Sequence, residues 1–299
     1  MRLFIQHSTR YRYEQAPRAI IETLHLTPSA CDTQSTQDWH LEVSVDALLS
    51  RSTDAFGNIV HTFSLERPGQ EIEIIACGTV ETDGHNGVVS GTNEPLPLPV
   101  FLRPTDRTRA DNAIASAVEA AQTASDGTLL SAAHRWNKAV HEAIQFEVHA
   151  TDSGTLASEA FSAGSGVCQD LAHVFIAGAR HLGIPARYIS GYQYNDGGSR
   201  DDQAGHAWAE VFIQGLGWVS FDPTAGRSTD ETYVRVAVGL DAVGAAPVRG
   251  AAYGGTGETL SVDVSVARAD KRSMAQTMHP QSMIHRSSDA TSGMTMGGR

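Results

Sequence analysis

The stretch Ser165-Gly166-Val167-Cys168-Gln169-Asp170 continues through Gly183-Ile184-Pro185-Ala186-Arg187 and Gly205-His206-Ala207-Trp208-Ala209-Glu210, and closes at Gly217-Trp218-Val219-Ser220-Phe221-Asp222-Pro223-Thr224. A thiol, an imidazole and a carboxylate occur in that order. Between Gln169 and Leu182, Leu171, Val174, Phe175, Ala179 and Leu182 recur at three- and four-residue spacings, which predicts a helix with one apolar face. Gly183 and Pro185 supply its stop signal. Gly164, Ser165 and Gly166 are loop residues, so Cys168 falls at or near the helix N-terminus. Free N–H groups and the macrodipole at such a position favour negative charge. They therefore favour the reactive thiolate and can receive an oxyanion in acyl transfer. Val167 and Gln169, beside the thiol, are the candidate oxyanion or substrate contacts.

The other two groups fall on strand-like runs. His206, Trp208, Glu210 and Phe212 share one face, whereas Ala207, Ala209, Val211 and Ile213 form an apolar face expected to be buried. Gln214-Gly215-Leu216-Gly217 supplies a turn, and Val219 and Phe221 on the returning run match the buried side. Asp222 then shares a face with His206. The turn centre lies slightly past their midpoint, so a diagonal pair or a small bulge is needed to join them. In that arrangement Asp222 orients His206, and His206 takes the proton of Cys168. Trp208, on the His206 face, is expected to wall the site.

These four blocks in this order resemble the transglutaminase-like superfamily, which shares the papain-like cysteine-protease architecture. The resemblance implies Cys168 as nucleophile, His206 as base and Asp222 as orienting acid. It also implies an α+β fold in which the helix-borne Cys packs on an antiparallel sheet carrying His and Asp. Asp54-Ala55-Phe56-Gly57-Asn58 resembles a signature of the N-terminal β domain of bacterial relatives, and the likeness extends from Met1 to about Arg268. One departure bears on substrate. Relatives usually carry Phe-x-Tyr where this chain has Phe146-Glu147-Val148, so the pocket chemistry is expected to differ.

The flanking sequence fits that frame. Residues 1–93 alternate in the manner of antiparallel strands, as in Leu3 and Ile5, Trp39 to Val45, Ile59 to Leu65, and Ile72 to Ala76. A Pro-rich linker is expected over 94–104, followed by a catalytic domain over 105–268 that includes the C-terminal strands. Its helix-like runs span about Arg109 to Thr123 and Leu129 to Phe146, and Thr155 could cap a short helix to Ala163. Residues 269–299, rich in Met, Ser and Gly, read as a disordered tail.

The 299 residues include 41% hydrophobic ones, enough for a sizeable core, and carry a net charge of −12. That charge disfavours nucleic acid or an anionic membrane as partner. No apolar run has the length of a membrane span, and the polar start is not a signal peptide; cytoplasmic residence is the expectation, since a reactive thiol is easier to keep reduced there. Only three cysteines are present, and Cys31 and Cys77 read as packing thiols with a mutual disulfide as the alternative. The Cys/His/Asp set lacks paired metal-ligand spacing, so neither metal nor other cofactor is expected. Asp170 is expected to solvate the helix start, and Glu210 to pair with Arg187. The resulting expectation is attack on peptide or isopeptide bonds in a peptide or protein substrate, ending in hydrolysis. Transamidation to an amine and a non-catalytic scaffold are the alternatives. The resemblance further suggests ATP-grasp-type ligases as partners.

Overall fold

In the computed structural model, β1 (Arg2–Arg12) and β6 (Glu71–Thr82) pair antiparallel with Leu3 opposite Val80 and Tyr11 opposite Ile72. This register puts alternate apolar residues on one face, as the period of two requires. Adding β3 (Gln34–Val43) and β16 (Thr259–Arg268) gives a four-stranded sheet in the order β16-β1-β6-β3. A second sheet runs β15-β2-β5-β4, from β2 (Ala19–Thr27), β4 (Ser50–Thr53), β5 (Ile59–Glu66) and β15 (Val248–Tyr253). Tyr11, Ile20, Leu24, Phe63, Ile72 and Ile74 fill the space between these sheets. The structure describes residues 1–93, 95–148, 150–196 and 205–269.

The expected N-terminal β domain is thus a sandwich, but it is completed from the far end of the chain. β15 pairs with β2 and β16 with β1, so both C-terminal strands join the N-terminal sheets, not the catalytic segment with which they were grouped. Each covers a sheet edge whose N–H and C=O groups need partners. Residues 1–268 form one compact unit. The expected linker is partly ordered: Leu98–Leu102 forms a 3-10 turn, and buried Phe101 packs edge-on against Trp218 with ring centroids 5.0 Å apart. The tail read as disordered lies outside the described residues, apart from Ala269.

The central layer is a mixed-length antiparallel sheet of β10 (Ala186–Gln193), β11 (His206–Ile213), β12 (Gly217–Asp222), β13 (Arg227–Ser228) and β14 (Tyr233–Gly239), ordered β13-β12-β11-β10-β14. The short β7 (Val88–Val89) pairs with β12. One face receives the helix α4 (Cys168–His181), with Ala207, Ala209, Val211, Val219 and Phe221 packed beneath it as their alternation implied. The opposite face is also buried: Ile189, Trp208, Tyr233 and Val238 pack there against Phe56 of the sandwich, and Glu210 pairs with Arg187 and Arg235. This is why Trp208, Glu210, Ser220 and Asp222, polar residues included, are almost fully inaccessible.

Two amide side chains fasten the sandwich to the outer strand β14. Asn58 donates to Val238 O and accepts from Val238 N, both at 2.8 Å. Gln34 repeats the arrangement on Arg235 O and N, again at 2.8 Å. Asp54 holds Asn58 in place by accepting from its backbone N and its Nδ2, each at 2.9 Å. Gly57, at φ +81°, makes the intervening turn, a conformation that favours glycine. The Asp54-to-Asn58 signature is therefore a docking device.

α4 is supported by α1 (Asn112–Thr123), α2 (Leu129–Ala143) and α3 (Ala157–Ala163). Asp111 caps α1 and Thr128 caps α2. The cap of α3 is Leu156, one residue later than the expected Thr155, and the Glu159 carboxylate accepts from the Leu156 backbone N–H. α4 ends in a Schellman arrangement, with Gly183 at φ +74° and bonds Ile184 N to Ala179 O and Gly183 N to Arg180 O. Trp136 of α2 lies directly on Gly178, where a Cβ would come within 2.5 Å of the indole, and its Nε1 donates to Phe175 O at 3.0 Å.

Candidate active site

Cys168 is the first residue of α4, after Val167 in extended conformation as N-cap. Two parallel strands, β8 (Gln145–Phe146) and β9 (Ser165–Gly166), fix the loop before it. Asp170, expected to be solvated, is instead 1% exposed. Its Oδ2 accepts from Val167 N at 2.9 Å and from Thr151 Oγ1 at 2.5 Å, so it clamps the turn that presents the thiol. Burial, outweighing those bonds, raises its pKa. Asp170 N and Leu171 N both bond Val167 O. The Cys168 and Gln169 N–H groups precede the first helical bonds and are the donors available for an oxyanion.

Pairing of Ala209 with Phe221 and Val211 with Val219 sets the register of β11 against β12. His206 and Asp222 are then diagonal neighbours, one of the two arrangements the sequence left open. His206 Nε2 lies 2.7 Å from Asp222 Oδ2. Its other ring nitrogen is left for Cys168, whose side chain interacts with the imidazole. Burial would lower the His206 pKa, but the hydrogen bonds to Asp222 and Cys168 and the charges of both push it up to about 10. Asp222 is 0% exposed. Burial alone would raise its pKa, yet its bond to His206, the imidazolium charge and further donors hold it below the usual carboxylate range.

Sequence reasoning missed one of those donors. Tyr233, at the start of β14, donates its hydroxyl to Asp222 Oδ2 at 2.8 Å, while Thr224 N and Ala225 N donate to Oδ1 at 2.8 and 3.2 Å. A carboxylate with four donors is fixed in both position and charge. Trp208 also differs from expectation. It packs among Ile189, Tyr233 and Val238, with its ring centroid 6.1 Å from that of His206, so it supports the imidazole from behind and does not wall the cleft. Glu210 pairs with Arg187 as expected, at 2.6 Å, and also with Arg235 at 3.0 Å.

A cleft of about 300 Å³ opens at Cys168. Val167, Gln169, His206 and Ala207 line its catalytic end, and Phe146 and Val148, the latter at the position that departs from the familial pattern, lie along it. The sandwich contributes His7 and His25, and the C-terminal crossover contributes Pro247. These three carried no signal in the sequence, since nothing local to them indicates proximity to Cys168. His7 is held by the Tyr192 hydroxyl at 2.9 Å and Thr9 Oγ1 at 3.0 Å. His25 is held by Ala246 O at 3.0 Å and lies 3.6 Å from Asp54. Cys31 and Cys77 are both free thiols, half-buried.

The profile of the transglutaminase-like superfamily matches residues 116–223, which span α4, β11 and β12, and that of the bacterial transglutaminase-like N-terminal region matches residues 3–81. The chain belongs to the transglutaminase-like superfamily. An uncharacterized protein of Mycobacterium leprae is 31% identical over 285 residues, covering 89% of this chain and 99% of that one. An uncharacterized protein of Mycobacterium tuberculosis is 28% identical over 289 residues, covering 88% and 90%. Among solved structures, a candidate cysteine protease from Cytophaga hutchinsonii superposes with a TM-score of 0.70 at 20% identity, covering 90% of this chain and 91% of that chain. That likeness shows a shared transglutaminase-like fold. Among the described residues, no helix is long and apolar enough to cross a membrane.

Proposed function

We propose that this member of the superfamily transfers acyl groups from peptide or isopeptide amides through a Cys168 thioester, with water as the usual acceptor. The observation that carries this reading is the 2.7 Å bond of His206 to Asp222 with Cys168 beside the imidazole at a helix N-terminus. His206 holds the thiol proton as Sγ attacks the carbonyl carbon. The oxygen takes up the displaced electron pair facing the Cys168 and Gln169 N–H groups. Collapse breaks the C–N bond, and His206 returns its proton to the departing amine. Asp222 keeps the imidazole in one tautomer and balances its charge, and Tyr233 is a positioning residue acting through Asp222. Water then cleaves the thioester with His206 as base. The open cleft gives water direct access, which favours hydrolysis over transfer to an amine.

The test is incubation with a diverse peptide library, with and without a primary amine, followed by mass spectrometry. Hydrolysis gives carboxylate products whose yield is little changed by the amine, and Cys168→Ala abolishes them. Predominantly amine-capped products would make the enzyme a transamidase. Absence of any acyl-enzyme or product would favour a scaffold.

A further inference from the structure

Resting on the acyl-transfer function proposed above, the cleft walls carry information about the substrate. In the thioester, the carbonyl bonded to Sγ belongs to the acyl half, so that residue's side chain is the first to enter the cleft beside Cys168. Near 300 Å³, the space is at the small end of ligand pockets, which start at about 300 Å³. The two sandwich imidazoles and the Ser190 hydroxyl along its walls are already engaged within the protein, so that, besides the catalytic pair, the Gln169 amide and the Tyr188 hydroxyl are the polar side-chain groups open to a ligand among the described residues. Both His7 nitrogens are bonded to Tyr192 and Thr9, His25 is bonded to Ala246 O beside Asp54, and Ser190 Oγ donates to Ala245 O at 2.7 Å. The rest of the lining is largely apolar: Phe146, Val148, the Tyr188 ring, Val236 and Pro247. Phe146 and Val148 are 46% and 40% exposed, apolar surface left uncovered at the mouth of the cleft.

We propose that the cleft selects an apolar, aliphatic or aromatic side chain on the acyl-donating residue, and that Phe146 and Val148 form the wall that does so. Entry of such a side chain removes both partners' apolar surface from water. A charged or amide side chain would be desolvated there with few free polar groups to receive it.

The experiment uses the full chain with peptidyl acyloxymethyl ketones, which carry only an acyl half and alkylate an activated thiol. A set bearing Leu, Phe, Gln, Asp or Lys next to the ketone is compared by the rate of Cys168 labelling in intact-protein mass spectra. Iodoacetamide, which needs no pocket, is run alongside. The expected result is that Leu or Phe reagents label about tenfold or more faster than Gln, Asp or Lys reagents. Phe146→Ala should reduce that advantage, and Val148→Asp should shift preference towards Lys. Both positions are partly exposed, so the fold tolerates them. Equal rates across the set, or fastest labelling by the Gln reagent, with iodoacetamide still selective for Cys168, would overturn the pocket assignment and leave the acyl-transfer reading intact. Failure of iodoacetamide to single out Cys168 would overturn the acyl-transfer reading, and the pocket assignment with it.

Discussion

Asn58→Ala removes the amide that joins the sandwich to β14. In the native protein Asn58 is 1% exposed and satisfies both Val238 N and Val238 O at 2.8 Å. Alanine leaves a buried backbone donor and a buried acceptor with no replacement, and the space vacated is too enclosed for bulk water to serve both. An unsatisfied buried group costs about 1–3 kcal/mol, so the pair costs about 2–6 kcal/mol. That is a large part of the roughly 5–15 kcal/mol that keeps a domain folded. The assay is urea unfolding followed by tryptophan fluorescence. With a slope of about 3 kcal/mol/M, the midpoint should fall by about 1–2 M. Asn58→Asp provides a shape-matched comparison. It keeps an acceptor for Val238 N but loses the donor to Val238 O, and it places a second carboxylate against Asp54. It should be at least as damaging at pH 7. A loss below about 0.5 kcal/mol for both variants, the range of ordinary surface substitutions, would refute the docking argument.

Tyr233→Phe deletes one of the four donors to Asp222, a charge-assisted bond worth about 1.5–3 kcal/mol. Stability at pH 7 should fall by that order and kcat should drop more than KM rises; because the Asp222 pKa is depressed, the stability difference from wild type is present at neutral pH and disappears as pH falls through that depressed value. The His206 pKa is raised to about 10, so its contribution to folding is complete below its unfolded value of about 6.5 and is lost as pH rises towards 10. The stability margin of wild type over His206→Ala should therefore narrow between pH 7 and pH 10, as read from urea midpoints. Gly178→Ala drives a Cβ to within 2.5 Å of the Trp136 indole and should cost about 1–3 kcal/mol by overpacking, visible as a lowered Tm in calorimetry.

Short-range periodicity made the centre of the protein legible. The spacing of Leu171, Val174 and Phe175 placed Cys168 at a helix start, and the alternation about Ala207 to Ile213 put His206 and Asp222 on one face of a hairpin. Trp208 and Asp170 were misjudged for a common reason. Periodicity reports which residues share a face but not what covers it, and here the sandwich buries the second face of the sheet while the Thr151 loop covers Asp170. The destination of β15 and β16 was equally invisible. Their apolar alternation suits any sheet, and pairing with β2 and β1 spans more than two hundred residues of sequence. His7 and His25 reach the cleft through the packing of the sandwich, and Tyr233 reaches Asp222 through the pairing of β14 with β10, so no local pattern marks them. The Asp54-to-Asn58 segment is intermediate: its turn was legible, but its grip on Val238 required the fold.

The most direct test of the central claim is the rate of iodoacetamide alkylation of each cysteine, mapped by peptide mass spectrometry from pH 4 to 9 in wild type and His206→Ala. The account predicts that at pH 6, where an ordinary thiol is mostly protonated, Cys168 labels well ahead of Cys31 and Cys77, and that the lead collapses in His206→Ala. Labelling of Cys168 no faster than that of Cys31 or Cys77 in the folded wild-type protein would contradict it.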